Sequence, residues 1–532
     1  MVRKIIVCLI FTSFGLAKTF AAAPDELLAS YRFIGTSALS ANTNGSRLKE
    51  ILALPETVKF RDDVLQKLAR TSLKHFRADS ENADQVALLK SLFDDLLAAE
   101  SLMELRGAPK SRPTLFLAAR LNEERARLWE TNLQQLVKGS KPQPIKIESA
   151  NGWQAKVGTN LLKVLHAEKW TVLVLGPEQT FVQSNFLKQL QKPPSVVPEK
   201  NWLEANIDWP KLNGLLPLEK SPFKLARTEL QVSAKGENLR TTCRIIYPEK
   251  IDWKFEPWRI PKELILDPLI SFSAAQKIKP FLHRPIFPAQ VASNPLTNQI
   301  FFWAQSQMPF QSYFALPVKD ATNTLKTLGP QLMTAFNDEL QYRDGGKLTF
   351  ISNRVDLIWK GIPIIVPFLQ PTKEKAGAEF LLGGMFPVVP NTNKAPAELF
   401  NQISGRPDLV YYDWEITQER LAQWAMLSQL LPIFSKQSTA STNEALRNSL
   451  GKAKMLELNW ISAIGPKLGN TITEVTFKSP NELNVVRKSH FGLNSLEIVL
   501  LSHWFAHPNF PHVNPFAATS QTKPSASPVS KP

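Results

Sequence analysis

Two segments of the chain match each other, and this internal match constrains the fold more than any other feature. Residues 112–129 and 406–424 both begin with Arg-Pro and end with an Arg followed four residues later by a Trp, and they differ by one inserted residue. Each segment predicts a strand, a turn that ends at Asn122 or Thr417 as the N-cap, and a helix with that Arg and Trp on one face. The match therefore predicts a duplicated unit of strand, helix and sheet.

The same order of strand and helix recurs between the two matching segments, with weaker residue identity. Residues 312–316 have the pattern of a strand and residues 321–336 the spacing of a helix. Three alternating stretches follow them, at 347–352, 355–359 and 362–369. We therefore predict the α+β class, with mixed or antiparallel sheets, packed helices and an internal duplication of the strand-helix-sheet unit.

Composition and hydrophobic spacing divide the chain into six parts. Apolar residues at helical spacing dominate the first hundred residues, whereas a Pro- and Trp-rich stretch in the middle contains a hairpin with one apolar and one polar face. The predicted parts are a signal peptide at 1–23, a mostly helical region at 24–108, a first α+β unit at 109–199, the Pro/Trp-rich region with its hairpin at 200–299, a second α+β unit at 300–508 and a disordered tail at 509–532.

The first 23 residues have the pattern of a cleavable secretory signal peptide. Arg3 and Lys4 precede an apolar run over residues 5–17, and small residues follow at 21–23. Because a helix that crosses a bilayer needs roughly 20 apolar residues, a retained membrane anchor is the weaker interpretation. We expect cleavage after Ala21, export to the periplasm or beyond the cell, and a soluble mature chain with no transmembrane span.

The cysteine and charge content limits how the exported protein is stabilised and what it binds. Cys8 leaves with the leader, so Cys243 alone remains and an intramolecular disulfide is excluded. The chain has 63 Lys and Arg against 47 Asp and Glu, a formal net charge of +16 that attracts polyanions. These charges are scattered and form no specific nucleic-acid motif. Binding to an anionic envelope polymer therefore stays open beside the simpler interpretation of a generally cationic protein.

Asp413 and Glu415 are the least poor candidates for a catalytic acid pair. They flank Trp414 at the end of a predicted strand, and residues two apart on a strand face the same side. A pair of carboxylates is what glycoside hydrolysis requires, and Tyr411 and Tyr412 offer rings on which a sugar could stack. A solvated strand end accounts for the same residues without catalysis. The sequence contains no nucleophile elbow and no phosphate-binding loop.

His503 and His507 are the nearest approach to a metal site in the sequence. They lie one helical turn apart, but Pro508 and Pro511 end the helix and no carboxylate stands nearby in the sequence. The zincin, paired-cysteine and EF-hand motifs are absent. We therefore interpret these histidines as incidental and predict neither a metal nor a cofactor.

The leader, residues 44–51 and the strand at 409–415 together resemble exported bacterial proteins known only as domains of unknown function. The resemblance covers scattered segments and implies export without implying an activity. We therefore expect a non-catalytic protein with a binding or structural role in the cell envelope or outside the cell. The alternatives are a hydrolase that acts on an envelope or environmental polymer and a polyanion-binding protein.

Overall fold

The computed structural model of the chain describes most of the region that follows the predicted leader. The leader with Cys8 and the tail from residue 512 onwards lie outside the described residues. The described residues are 26–73, 82–107, 112–137, 140–177, 184–190, 201–213, 224–277, 298–305, 311–342, 346–362, 365–387, 393–434 and 444–511.

Side-chain caps fix where several of the helices begin. The Asn122 side chain accepts the backbone N–H of Arg125, which confirms its predicted role, and Asn494 and Glu497 form a capping box. A helix also begins at Thr417, but that hydroxyl pairs with Thr471. The described helices are α1 (Thr36–Ala41), α2 (Ser46–Ala53), α3 (Pro55–Leu73), α4 (Ala83–Ala98), α5 (Glu123–Leu136), α6 (Ser184–Leu190), α7 (Trp209–Leu212), α8 (Ala321–Tyr342), α9 (Ala397–Ser404), α10 (Thr417–Phe434), α11 (Glu444–Ile464) and α12 (Ser495–Ala506).

The described strands all belong to one antiparallel sheet. They are β1 (Glu26–Phe33), β2 (Ser101–Gly107), β3 (Thr114–Arg120), β4 (Gln143–Ile147), β5 (Ala150–Val157), β6 (Asn160–Ala167), β7 (Trp170–Gly176), β8 (Asn201–Asp208), β9 (Arg227–Lys235), β10 (Asn238–Ile246), β11 (Leu269–Gln276), β12 (Gln299–Gln305), β13 (Ser312–Val318), β14 (Lys347–Ile351), β15 (Asp356–Lys360), β16 (Phe368–Lys373), β17 (Glu379–Gly384), β18 (Leu409–Ile416), β19 (Asn470–Ser479) and β20 (Glu482–Ser489). The predicted hairpin is β9–β10, whose turn contains Gly236 with a positive φ of 59°.

The order of the strands reads the same from both ends of the sheet. The hydrogen-bonded row is β4-β5-β6-β7-β3-β2-β1-β8-β9-β10-β20-β19-β18-β11-β12-β13-β17-β16-β15-β14. Each strand of β1–β10, the first unit, thus has a counterpart ten strands later in β11–β20, the second unit. The units join through β10 and β20, where Thr242 lies opposite Val486. A pseudo-twofold axis in the strand order passes through this pair, because β20 is the counterpart of β10.

Two of the irregularities in strand pairing recur at equivalent places in the two units, whereas the β19–β20 shift after Phe477 has no counterpart in β9–β10. The β1–β2 register shifts just after Leu27, and the β11–β12 register shifts just after Leu269. The β8–β9 register likewise shifts after Asn201, and the β18–β19 register after Leu409. Because each irregularity fixes which residues face one another, it also fixes which residues of the two units are counterparts.

The internal sequence match does not join equivalent parts of the two units. Residues 112–129 contain β3, the third strand of the first unit, whereas residues 406–424 contain β18, the eighth strand of the second. The counterpart of β3 is β13, which lies in the segment of weaker identity. Short strand-helix segments share local requirements for a turn, a cap and an amphipathic face, so they can match without being equivalent. The α+β class and the antiparallel sheet are confirmed, but the match does not establish duplication.

Helices and one extended segment cover the two faces of the sheet unequally. On one face, the helix face, α3–α5 pack on the first unit and α8 on the second. A layer that includes α10, α11 and α12 lies beside them. On the opposite face, the groove face, α6 packs on the first unit. There α9 and residues 248–268, which we call the strap, pack on the second unit.

Two predicted boundaries do not follow the sheet. The region 24–108 contains β1 and β2 as well as helices, and the boundary at 109 separates β2 from its hydrogen-bonded neighbour β3. The predicted tail begins at 509, yet the Phe510 ring is buried with its centroid 4.8 Å from that of Trp504. One aromatic residue anchors this part of the segment despite its polar composition. Among the described residues, no helix has the length and apolar character needed to span a membrane.

Candidate functional site

Strand β18 turns Asp413 and Glu415 toward the helix face. The two residues alternate with Trp414, which packs against the core of the groove face, so both acids point the same way, as residues two apart on a strand must. Asp413 is only 6% exposed and Glu415 only 4%. The structure thus brings the two predicted acids to one face but places them beneath helices.

The partners of the two carboxylates differ. Glu415 accepts hydrogen bonds from the backbone N–H and the hydroxyl of Ser495, both at 2.7 Å, at the first turn of α12. Asp413 Oδ1 accepts a 2.6 Å hydrogen bond from the Ser273 hydroxyl on β11. Its Oδ2 has no hydrogen-bond partner within the described part of the chain. Glu415 is therefore a well-bonded structural acid, whereas Asp413 is only partly satisfied.

Two arginines belong to the same polar layer. Arg487 donates to both oxygens of Glu497, at 2.6 and 3.2 Å, and to the Thr473 hydroxyl. Arg420 donates to Gln423 and Ser312 and lies over the Trp424 ring at 4.5 Å from its centroid. The Arg and Trp of α10 thus share one helix face, as predicted, and the Arg420 guanidinium lies over the Trp424 ring. In α5, Arg125 instead pairs with Asp95.

Burial dominates the ionisation of this layer. It raises the pKa of Asp413, against the opposing effects of the Ser273 hydrogen bond and the positive charge of Arg487. It also raises the pKa of Glu415, against the hydrogen bonds from Ser495. The pKa of Arg420 is lowered by the same loss of solvent. Desolvation thus disfavours the charged forms of Asp413, Glu415 and Arg420, as expected where protein replaces water.

In the described part of the chain, both acids lie in the interior of the molecule and not at a groove. Two grooves of several hundred Å³ are described, and neither Asp413 nor Glu415 lines them. Their counterparts in the first unit are Ala205 and Ile207, since Ala29 faces Ile207 where Ser271 faces Glu415. Both counterparts are buried and apolar. The acid pair therefore replaces apolar core in the second unit and has the features of internal structure.

His503 and His507 have different neighbours in the structure. His503 Nδ1 lies 3.5 Å from Glu457 Oε2, so a carboxylate absent from the local sequence approaches from α11. His507 caps the end of α12, and its Nδ1 accepts the N–H of Asn509. Among the described residues, no group of three His, Cys, Asp or Glu side chains could hold a metal ion.

A polar groove crosses the groove face of the first unit. Its volume is about 590 Å³. Its floor spans β2, β1, β8, β9, β10 and β20, and Gln189 of α6 forms part of one wall. The side chains that project from the floor are almost all polar; they are Ser30, Arg32, Leu102, Glu104, Glu204, Asn206, Glu229, Gln231, Thr242, Arg244 and Asn484.

Ion pairs hold the charged side chains of the floor in place. Arg244 bridges Glu229 at 2.7 Å and Glu482 at 2.8 Å, and it thereby links three neighbouring strands across the junction of the units. Arg32 pairs with Glu100 at 2.7 Å. These exposed pairs add little to stability, but they order the groove surface.

The equivalent surface of the second unit is aromatic and covered. Ser30 faces Glu104 and Asn206, and its counterpart Phe272 faces Trp303 and Trp414. The strap lies over these rings and buries Ile260 and Ile265 among them. The two units thus differ in polarity on both faces of the sheet.

Sequence reasoning does not locate this groove. The available signal is the alternation of polar and apolar residues along β8 and β9, which predicts one wet face for each strand. The sequence does not show that six such strands lie side by side, because β1, β2 and β20 come from distant parts of the chain. The groove could not be predicted because the sequence does not give the order of the strands in the sheet.

Comparison with known proteins adds little to this geometry. No protein-family model matches the chain, and no curated protein matches it. Among solved structures, crystal form III of TP0453 is similar over 46% of this chain and 82% of that chain, at 12% sequence identity and a TM-score of 0.24. A likeness at this level carries no argument about fold or function.

Proposed function

We propose that the protein is a non-catalytic binding protein of the exported class and that its ligand lies in the groove of the first unit. One observation carries the proposal: among the described residues, the groove face of the first unit has an open polar groove beside α6, where the strap buries the same face of the second unit. Because ion pairs already order Arg32 and Arg244, a ligand loses less side-chain entropy to the surface it meets.

The alternatives have less support from the geometry. A hydrolase that used Asp413 and Glu415 requires substrate beneath the helices that cover both acids. A polyanion is a poor match for the groove, because Glu104, Glu204 and Glu229 outnumber the two arginines that line it. Export rests on the predicted signal peptide.

We also propose that the chain arose by duplication of a ten-stranded unit. The repeated strand order and the recurrence of register shifts at Leu27 and Leu269, and at Asn201 and Leu409, support this origin. The proposal replaces the unit suggested by the sequence match. It also explains why one half keeps an open site while the other half has become core.

Blocking the groove tests the proposed function. Thr242→Trp places a large ring on the floor, and Arg127→Trp, at a side chain that is 76% exposed on α5, is the matched control. Binding of defined peptides, oligosaccharides and heparin is measured by calorimetry, and hydrolysis of the oligosaccharides by chromatography. We expect binding in the wild type and the control, and its loss in Thr242→Trp. Turnover that disappears in Asp413→Asn would instead establish the hydrolase.

A further inference from the structure

The strap shows how this sheet holds an extended polypeptide. Residues 251–261 have no helix or strand, yet they lie across the second unit. Gln299 accepts the N–H of Arg259 at 2.9 Å and donates to the carbonyl of Pro257 at 2.8 Å. Gln305 donates to the carbonyl of Leu266 at 2.7 Å. Side-chain amides on β12 therefore bind the backbone of a crossing segment without reference to its side chains.

The strands that carry the strap correspond to half of the groove floor. Strands β12, β11 and β18 of the second unit are the counterparts of β2, β1 and β8 in the first. The groove also presents amide side chains, from Gln189, Asn206, Gln231 and Asn484. These amides are of the type that bind the strap, but they stand at other positions of the equivalent platform, because the counterparts of Gln299 and Gln305 are Glu100 and Arg106.

We infer that the groove binds an extended, polar polypeptide segment of another protein, in the manner in which the second unit binds its own strap. This inference rests on the proposed function and names the class of ligand. Six strands span about 24 Å at roughly 4.8 Å spacing, which accommodates about seven extended residues. The floor carries both signs of charge, since Glu204 and Glu229 lie beside Arg32 and Arg244, so a segment with both acidic and basic side chains is complementary to it.

The floor argues against a sugar as the occupant. Sugar recognition relies on aromatic rings that face the ligand, and the aromatic residue at the groove, Tyr31, directs its hydroxyl to Ser101 on the helix face. The rings that occupy the equivalent surface of the second unit are replaced by polar side chains in the first. Among the described residues of the floor, amides and charges are left to recognise the ligand.

The test uses the full mature chain with three defined probes of similar length. These are a pool of ten-residue peptides rich in Ser, Asn, Lys and Glu, a neutral glucose hexamer, and heparin. Affinity is measured by calorimetry, and the position of binding by protection of β1, β8 and β9 from hydrogen exchange. The groove variant combines Asn206→Ala with Gln231→Ala, and the control combines Gln143→Ala with Asn151→Ala, two exposed side chains on β4 and β5.

We expect the peptide pool to protect the groove strands and to bind about tenfold more weakly to the groove variant, with the control unchanged. Protection of these strands by the hexamer or by heparin, without protection by peptides, overturns the inference but leaves a groove-binding function standing. Protection by none of the three probes overturns the proposed function itself.

Discussion

The Asp413 carboxyl group has one oxygen bonded to Ser273 and one without a partner among the described residues. Its counterpart in the first unit is the methyl group of Ala205, so the sheet does not need an acid at this position. A buried carboxylate with incomplete hydrogen bonding destabilises the folded state relative to the neutral form. The raised pKa of Asp413 expresses the same preference.

Asp413→Asn should therefore stabilise the protein at neutral pH, by about 1 kcal/mol. Because the folded-state pKa is raised, the contribution of Asp413 to stability is fully present below its unfolded pKa and is lost as pH rises through the folded value. The gain should accordingly shrink as the pH falls toward 4. Urea denaturation between pH 4 and pH 8 measures it, with Asp408→Asn, an exposed acid just before the same strand, as the control.

Asp95 differs from Asp413, because several neighbouring side chains donate hydrogen bonds to its carboxylate. It receives the Arg125 guanidinium at 2.7 Å and the indole N–H of Trp129 at 2.9 Å. We expect Asp95→Ala to destabilise the fold by about 2 kcal/mol, since it leaves the buried indole N–H of Trp129 without its acceptor, whereas Arg125 is partly exposed and keeps Ser91 as a partner. Asp94→Ala, which removes an exposed pair with Lys90 in the same helix, should change stability by less than about 1 kcal/mol. Equal effects in urea denaturation would contradict this account.

The sequence predicts which acids share a face but not what covers them. Residues two apart on β18 had to point the same way, and they do. The cover over Glu415 comes from Ser495, 80 residues later in the chain, and no local pattern specifies that contact. The same limit applies to His503, whose carboxylate neighbour Glu457 lies on a different helix.

At the scale of elements, the two outer strands of the sheet need protection, because an unpaired edge can join another chain. Strand β4 contains Pro144, which has no N–H to offer. The edge of β14 is covered by the side chain of Asn337 from α8. This amide accepts the N–H of Leu348 in β14 at 2.8 Å and donates to the Leu348 carbonyl at 3.2 Å. The two edge strands are thus protected differently, β4 by a proline and β14 by a side-chain amide.

Asn337→Ala should expose the edge of β14. We expect faster hydrogen exchange at Leu348 by at least tenfold, because the amide loses its acceptor, and a greater tendency to aggregate on warming. Asn323→Ala, at an exposed position of the same helix, is the control. Unchanged exchange at Leu348 would show that the amide is protected by another group.

Elements with strong local signals are predicted well. The β9–β10 hairpin has alternating residues around a tight turn, and the α5 helix has its Asn122 cap; both occur as expected. The strap could not be predicted in this way, because an extended segment without helix or strand has no periodicity. Its position depends on Gln299 and Gln305, which lie after it in the chain.

For the whole molecule, the strap makes the core of the second unit depend on a segment that lies between the units. Its residue Ile265 is fully buried, and Leu190 of α6 is a buried side chain on the same face of the first unit. Ile265→Ala should destabilise the fold by about 3 kcal/mol. Hydrogen exchange should rise first in β11–β13, whereas Leu190→Ala should affect β3 and β7 first. Uniform loss of protection in both variants would contradict separate cores.

The pairing of β10 with β20 about Thr242 and Val486 has a consequence for the history of the chain. In a protein made of the first unit alone, β10 is an edge strand. Because Thr242 pairs with its own counterpart Val486 in this chain, Thr242 of one copy would lie opposite Thr242 of a second copy. Two such copies would form a twofold-symmetric dimer, in which the two β10 strands pair antiparallel and each subunit uses the same surface. Under the proposed duplication, we therefore expect the ancestor to have been a homodimer with two identical grooves, one of which was kept after gene fusion while the other was filled.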